Sequence, residues 1–272
     1  MAISPWTKNY VGSEPARAWS TRFNVPFRDL AAMGAVEGAF ALSYGSTITS
    51  LDTTDGKVAF YEAILGFPAE LSASTLYIAS SNGSDTQEFT IQGIDGNGDF
   101  ATATVTATGT SAAAIPGTWN HVQRCIASGA ANAGTVYVSS HNGGIPSTLA
   151  HRIQTVMLPG TNYAINPMLV CPNNQVILLN RFDFSISVKT NPARIDITAN
   201  RQGRWIQNFV FFSDGQFEQT FDVPIRLQPG EKLRVEVTAG ANATNGAFGM
   251  NGKVLTSVGV DERYSGAWEL FA

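Results

Sequence analysis

The stretch Val176–Lys189, VILLNRFDFSISVK, decides how this chain is read. Val176, Leu178, Phe182, Phe184, Ile186 and Val188 share one face of an extended chain, and Arg181, Asp183, Ser185, Ser187 and Lys189 mostly share the other. Side chains alternate across a strand with a period of two, so the pattern predicts a strand with one face in a core and one in water. The same reading spreads outward. ARIDITA, RWIQNFVFF, QFEQTFDVPI and KLRVEVTA follow, and in the last Leu233, Val235 and Val237 oppose Lys232, Arg234 and Glu236. Pro229-Gly230 and Asn251-Gly252 are turn signals between such runs.

Upstream, residues 74–140 carry STLYIAS, EFTIQGI, FATATVTATG, TWNHVQRCIAS and GTVYVSS, separated by Gly, Asn and Pro every 8 to 15 residues. That is the spacing of a sandwich or barrel. In TWNHVQRCIAS strict alternation puts Trp119, His121, Gln123 and Cys125 on one face and Asn120, Val122, Arg124 and Ile126 on the other. The best short helix candidate is KVAFYEAILG, residues 57–66, ended by Gly66 and Pro68, and the same run also reads as a strand. The expected fold is therefore all-β: two antiparallel β-sandwich or jelly-roll-like domains preceded by an extended N-terminal arm. The expected boundaries are 1–35 for the arm, 36–150 for the first domain and 151–272 for the second.

The arm is punctuated by Pro5, Pro15 and Pro26 and carries Trp6, Tyr10, Trp19, Phe23 and Phe27 without a clean period. Aromatics are favoured interface anchors, so these five are the expected assembly residues, docking on a neighbouring subunit or back onto their own domain. Charged residues make up only 14% of the 272, with Gly, Ser, Thr, Asn and Ala filling the gap. Such a surface suits like subunits meeting over wide areas, and it also suits a β-rich domain whose turns need those residues. Net charge is −4, and cations cluster only at Arg194, Arg201 and Arg204, which argues against nucleic acid as a partner. The N-terminus has no apolar core of a secretory signal, and no run of apolar residues is long enough for a membrane helix, so neither export nor a membrane partner is expected. Cys125 and Cys171 form no CxxC pair and read as two buried free thiols, with one disulfide as the alternative.

Chemistry is sparse. No GxSxG elbow or P-loop occurs, and His121, His141 and His151 are the three histidines. His121 alternates with Trp119 and reads as a packed or interface imidazole rather than a base. Twenty-one acids always offer pairs, so carboxylate pairs carry no signal. One loop invites a metal. In IQGIDGNGDFATATVT, residues 91–106, Asp95, Asn97 and Asp99 alternate as in the start of a calcium loop. An EF-hand needs Gly at its sixth place and Glu at its twelfth, where this chain has Phe100 and Thr106. A hairpin turn at Asn97-Gly98 is the favoured reading, with Asp95, Asn97 and Asp99 weak metal candidates and no cofactor expected.

The order of motifs in EFTIQGIDGNGDFATATVTATGT, IPGTWNHVQRCIAS and NAGTVYVSS resembles virion structural proteins of tailed phages, especially marine and cyanobacterial ones. The match is carried by Gly93-Ile94-Asp95, Asn97, Gly109-Thr110, Gly117-Thr118-Trp119, Val122, Arg124, Asn132, Gly134 and Val136. Ile153-Gln154-Thr155-Val156-Met157, Arg201-Gln202-Gly203-Arg204-Trp205 and FDVPIRLQPGEKLRVEV extend it, so that it covers roughly residues 75–255. Cys171-Pro172-Asn173-Asn174-Gln175 departs from the family's V-P-x-G. The resemblance implies a non-enzymatic virion component, assembled in the host cytoplasm with copies of itself, a trimer among the possible forms, and with other capsid or tail subunits. A head-decoration or knob protein on the capsid surface is the expected role, with a tail or tail-fibre component as the alternative. The rival from another class is a carbohydrate- or host-receptor-binding module using Trp119, Trp205 or Trp268 as sugar platforms.

Overall fold

The computed structural model describes residues 39–55, 57–59, 71–187, 191–201, 204–213 and 215–256. The arm aromatics, most of the proposed helix and Trp268 lie outside these residues, as does the side chain of Trp205. The fold is all-β and antiparallel. It opens with β1 (Ala39–Leu51) and β2 (Lys57–Ala59). Next come β3 (Tyr77–Ser80), β4 (Glu88–Asp95), β5 (Phe100–Thr106), β6 (Ala113–Ala114), β7 (Trp119–Ala127), β8 (Val136–Ser139), β9 (Thr155–Met157) and β10 (Tyr163–Ile165). The last group is β11 (Met168–Val170), β12 (Gln175–Ile186), β13 (Ala193–Arg201), β14 (Arg204–Ser213), β15 (Gln216–Leu227), β16 (Lys232–Thr238) and β17 (Thr244–Thr256).

Strand pairing divides the chain elsewhere than at residue 150. One sandwich has sheets β1-β17-β12-β15 and β11-β16-β13-β14. Setting aside the short β2, its eight strands run 1-8-3-6 in one sheet and 2-7-4-5 in the other. That is the strand order of an eight-stranded jelly roll. The other sandwich, β10-β7-β4-β5 against β6-β3-β8-β9, is inserted whole between the first two long strands of the jelly roll. The expected first domain therefore loses its opening strand: β1 pairs with β17 along nearly its full length, Ala39 opposite Leu255 through Leu51 opposite Thr244. The helix candidate is corrected at its start, because Lys57–Ala59 is a strand laid on β16.

Each sandwich has its own apolar core. The deciding stretch is a strand, but its alternation breaks once. Against β17, Leu179 opposes Gly252 and Arg181 opposes Asn251, so Asn180 is a bulge. One extra residue flips the face of everything before it. The core therefore takes Ile177 and Leu179, then Phe182, Phe184 and Ile186, whereas Leu178 is only half-buried. Phe182 and Leu179 are fully buried, and truncating either to Ala would cost about 2–5 kcal/mol.

Candidate functional site

The two sandwiches meet at a joint built from bulges. Along β4 and β7, Gln92 opposes Arg124, Gly93 opposes Val122, Ile94 opposes His121 and Asp95 opposes Trp119. Gln123 and Asn120 are the extra residues. Trp119, Val122, Cys125 and Ala127 consequently point into the inserted core. His121 and Gln123 point the other way, toward the jelly roll, which corrects the expectation that they share a face with Trp119 and Cys125. His121 Nε2–H donates to the Met168 carbonyl at 2.8 Å, and Gln123 Nε2 donates to the Val170 carbonyl at 2.8 Å. Ile94, Met168 and Val170 form a small apolar cluster beside them.

The chain crosses between the sandwiches in Asn166-Pro167, both buried. Asn166 is saturated with partners. Its amide donates to the Gln123 carbonyl at 2.9 Å, its Nδ2 donates to the Gln154 carbonyl at 2.8 Å, and its Oδ1 accepts the Met168 amide at 2.9 Å. From the jelly-roll side, the Tyr44 hydroxyl donates to the Asn166 carbonyl at 2.5 Å. A buried polar group left unpaired costs about 1–3 kcal/mol, so a crossing with this many mutual partners holds one orientation. Burial pushes the Tyr44 hydroxyl well above its ordinary range, against the nearby Arg124 charge, and the Arg124 guanidinium lies 5.7 Å from the Tyr44 ring centroid. Burial likewise pushes the His121 imidazole down to about 4, so it is neutral at physiological pH.

The DGNGD loop is the hairpin tip between β4 and β5, and it docks on the jelly roll. Asp95 Oδ1 accepts the amides of Asn97 and Asp99 at 2.9 and 3.0 Å. The Asp99 amide first, then those of its neighbours, hold the Asp95 carboxyl below its usual range. Asn173 closes the tip, its amide donating to the Gly98 carbonyl at 2.8 Å and its Nδ2 to the Asn97 carbonyl at 2.7 Å. Gly98 has φ of +91°, and a Cβ there would sit 2.1 Å from Asn173 Nδ2. The loop's three polar residues thus serve a turn and a contact. Among the described residues no group of three or more His, Cys, Asp or Glu side chains is gathered as a metal site.

Above the joint lies a cleft of about 550 Å³ lined by Leu42, Tyr44, Gln92, Phe100, Gln123, Arg124, Leu169, Pro172, Gln175, Ile177 and Val254. The other candidates are dispersed. His141 and His151 stack at 3.7 Å between ring centroids, and His151 Nδ1 accepts the Ser147 amide at 2.8 Å, so these two clip one loop. Trp119 is 2% exposed, with its indole N–H donating to the Pro116 carbonyl at 3.1 Å, which removes it as a sugar platform. Cys125 and Cys171 are free, each in a different core, and burial pushes both thiols up to about 12.

Two buried groups escaped the sequence reading. Asp85 accepts the Ser80 hydroxyl and the amides of Ala133 and Gly134 at 2.7 and 2.8 Å. Burial works to raise its carboxyl, but these three donors win and hold it below the usual range. Asp196 and Glu236 face each other across β13 and β16 with almost no exposure. Lys57 Nζ reaches both at 3.4 Å, joined by Arg194 on Asp196 at 2.9 Å and Arg234 on Glu236 at 3.2 Å. The Asn-Pro dipeptide was a visible boundary signal for the crossing. Nothing local marks Lys57, whose partners lie far along the chain.

No protein-family model matches this chain, and no curated protein matches it. Among solved structures it is similar to that of infectious bursal disease virus Gt strain, at 10% identity and TM-score 0.20, covering 85% of this chain and 78% of that one. It is similar also to that of the Gx strain, at 10% identity and TM-score 0.22, covering 81% and 73%. A third is the crystal structure of the infectious bursal disease virus VP2 subviral particle, at 12% identity and TM-score 0.20, covering 86% and 78%. Likeness at this level says nothing of what the chain does.

Proposed function

We propose that this chain is a non-enzymatic structural protein of a virion, bound stoichiometrically to copies of itself and to other virion proteins. The observation that carries the reading is the architecture: a jelly roll with a complete second sandwich inserted between its first two long strands and locked to it through a buried crossing. Double-sheet jelly rolls serve as capsid and lectin domains, and a rigid two-lobed body suits a repeated lattice contact better than a moving catalytic cleft. The motif order that resembles tailed-phage virion proteins supports it further, since its most recognisable part, the Asp95–Asp99 tip, is the loop that docks on the jelly roll at Asn173. Within that class we place the protein on the capsid surface as a head-decoration or knob protein. The low charge lets like subunits approach without strong self-repulsion.

The test is location. Antibodies raised against the recombinant protein are applied to purified virions and imaged. Regular labelling over the head supports the decoration role, and labelling of the tail moves the chain to the tail alternative. Its absence from virions overturns the reading.

A further inference from the structure

We propose that the cleft above the joint is the docking site for the chain's own C-terminal segment, residues 257–272, SVGVDERYSGAWELFA. The register sets the starting point. In the sheet, Ile177 opposes Val254 and Gln175 opposes Thr256, the last described residue. Ile177, Val254 and Gln175 all line the cleft, so the chain leaves β17 at the cleft's own rim. The residues beyond span up to about 50 Å when extended at roughly 3.3 Å each, more than enough to cross it.

The chemistry matches as well. The cleft presents an apolar floor, with Leu42, Ile177 and Val254, and Phe100 is 45% exposed at its edge. Arg124 is the one charged residue among its described lining. The segment offers Trp268, Leu270 and Phe271 as apolar anchors, and Asp261, Glu262 and Glu269 against Arg263, a net of −2. The N-terminal arm leaves from the same edge, since Phe40 opposes Val254. Its charge has the wrong sign, with Lys8, Arg17, Arg22 and Arg28 against Glu14, Asp29 and Glu37, a net of +1. An acidic aromatic segment tethered at the rim is the complement of an apolar cleft with one guanidinium, and the tether supplies a high effective concentration.

Hydrogen exchange on the soluble full-length protein tests this without any virion, so its outcome is independent of the assembly role. The amides of residues 260–272 are expected to exchange at least about tenfold more slowly than in a free peptide. Arg124→Glu is expected to abolish that protection, and Glu269→Arg in the same chain to restore part of it. Trp268→Ala should abolish it too while β12 and β16 keep their protection. Exchange of the wild-type segment at the free-peptide rate would overturn the proposal. So would protection indifferent to both Arg124→Glu and Trp268→Ala, or protection that fades on dilution and therefore belongs to a second copy.

Discussion

Acid should loosen this protein through His121. The imidazole is 2% exposed and donates from Nε2 to the Met168 carbonyl across the joint. Burial, helped by the Lys232 charge, holds it at about 4, against the Met168 carbonyl and Gln154, which favour the proton. An unfolded chain takes up that proton near pH 6.5, whereas the folded chain resists until about 4. Between those values the unfolded state binds more protons, so stability falls as pH falls through the window. The loss is about 1.4 kcal/mol per pH unit, so about 2 kcal/mol between pH 6.5 and 5 and about 3 kcal/mol by pH 4. The assay is equilibrium urea unfolding at several pH values for the wild type and for His121→Gln, whose amide can still donate to Met168. Wild type should weaken by about 2 kcal/mol from pH 6.5 to 5, and the variant should lose much less over the same range. His141 and His151 are common to both proteins, so the difference isolates His121. A wild-type curve flat from pH 7 to 5, or equal slopes in the two proteins, would refute the reasoning.

Other consequences are as direct. Gly98→Ala forces a side chain into a left-handed backbone and against Asn173, and should cost about 1–3 kcal/mol in thermal unfolding. Lys57→Met withdraws a cation that reaches both Asp196 and Glu236, and should destabilise by about 1–3 kcal/mol, Lys57 itself being 41% exposed. Asp85→Ala leaves two backbone amides and a hydroxyl without their acceptor and should cost about 2–4 kcal/mol. Since the Asp85 carboxyl is held low, its contribution is present above about pH 4 and lost below, so variant and wild type should converge in strong acid. Deleting residues 1–30 should leave a soluble, folded protein that no longer joins particles, and normal incorporation in a virion pull-down would count against a docking arm.

What the sequence determined by itself is the local part. Strand runs from Phe182 to Ile186 and from Leu233 to Val237 were legible because a period of two belongs to each segment alone. The Asp95–Asp99 turn was legible because its hydrogen bonds lie within five residues. What only the tertiary structure decided are the breaks in that period and the distant pairings. The bulges at Asn180, Asn120 and Gln123 redirect Ile177, Leu179 and His121, and no propensity marks them, because each is placed by what the neighbouring strand and the facing domain require. The same holds for β1 closing the jelly roll against β17, for Lys57 beneath Asp196 and Glu236, and for the hydrogen-bond partners of Asn166, which its Asn-Pro boundary signal does not name. Those contacts join residues far apart in the chain, so their energy appears only once the strands that carry them have come together.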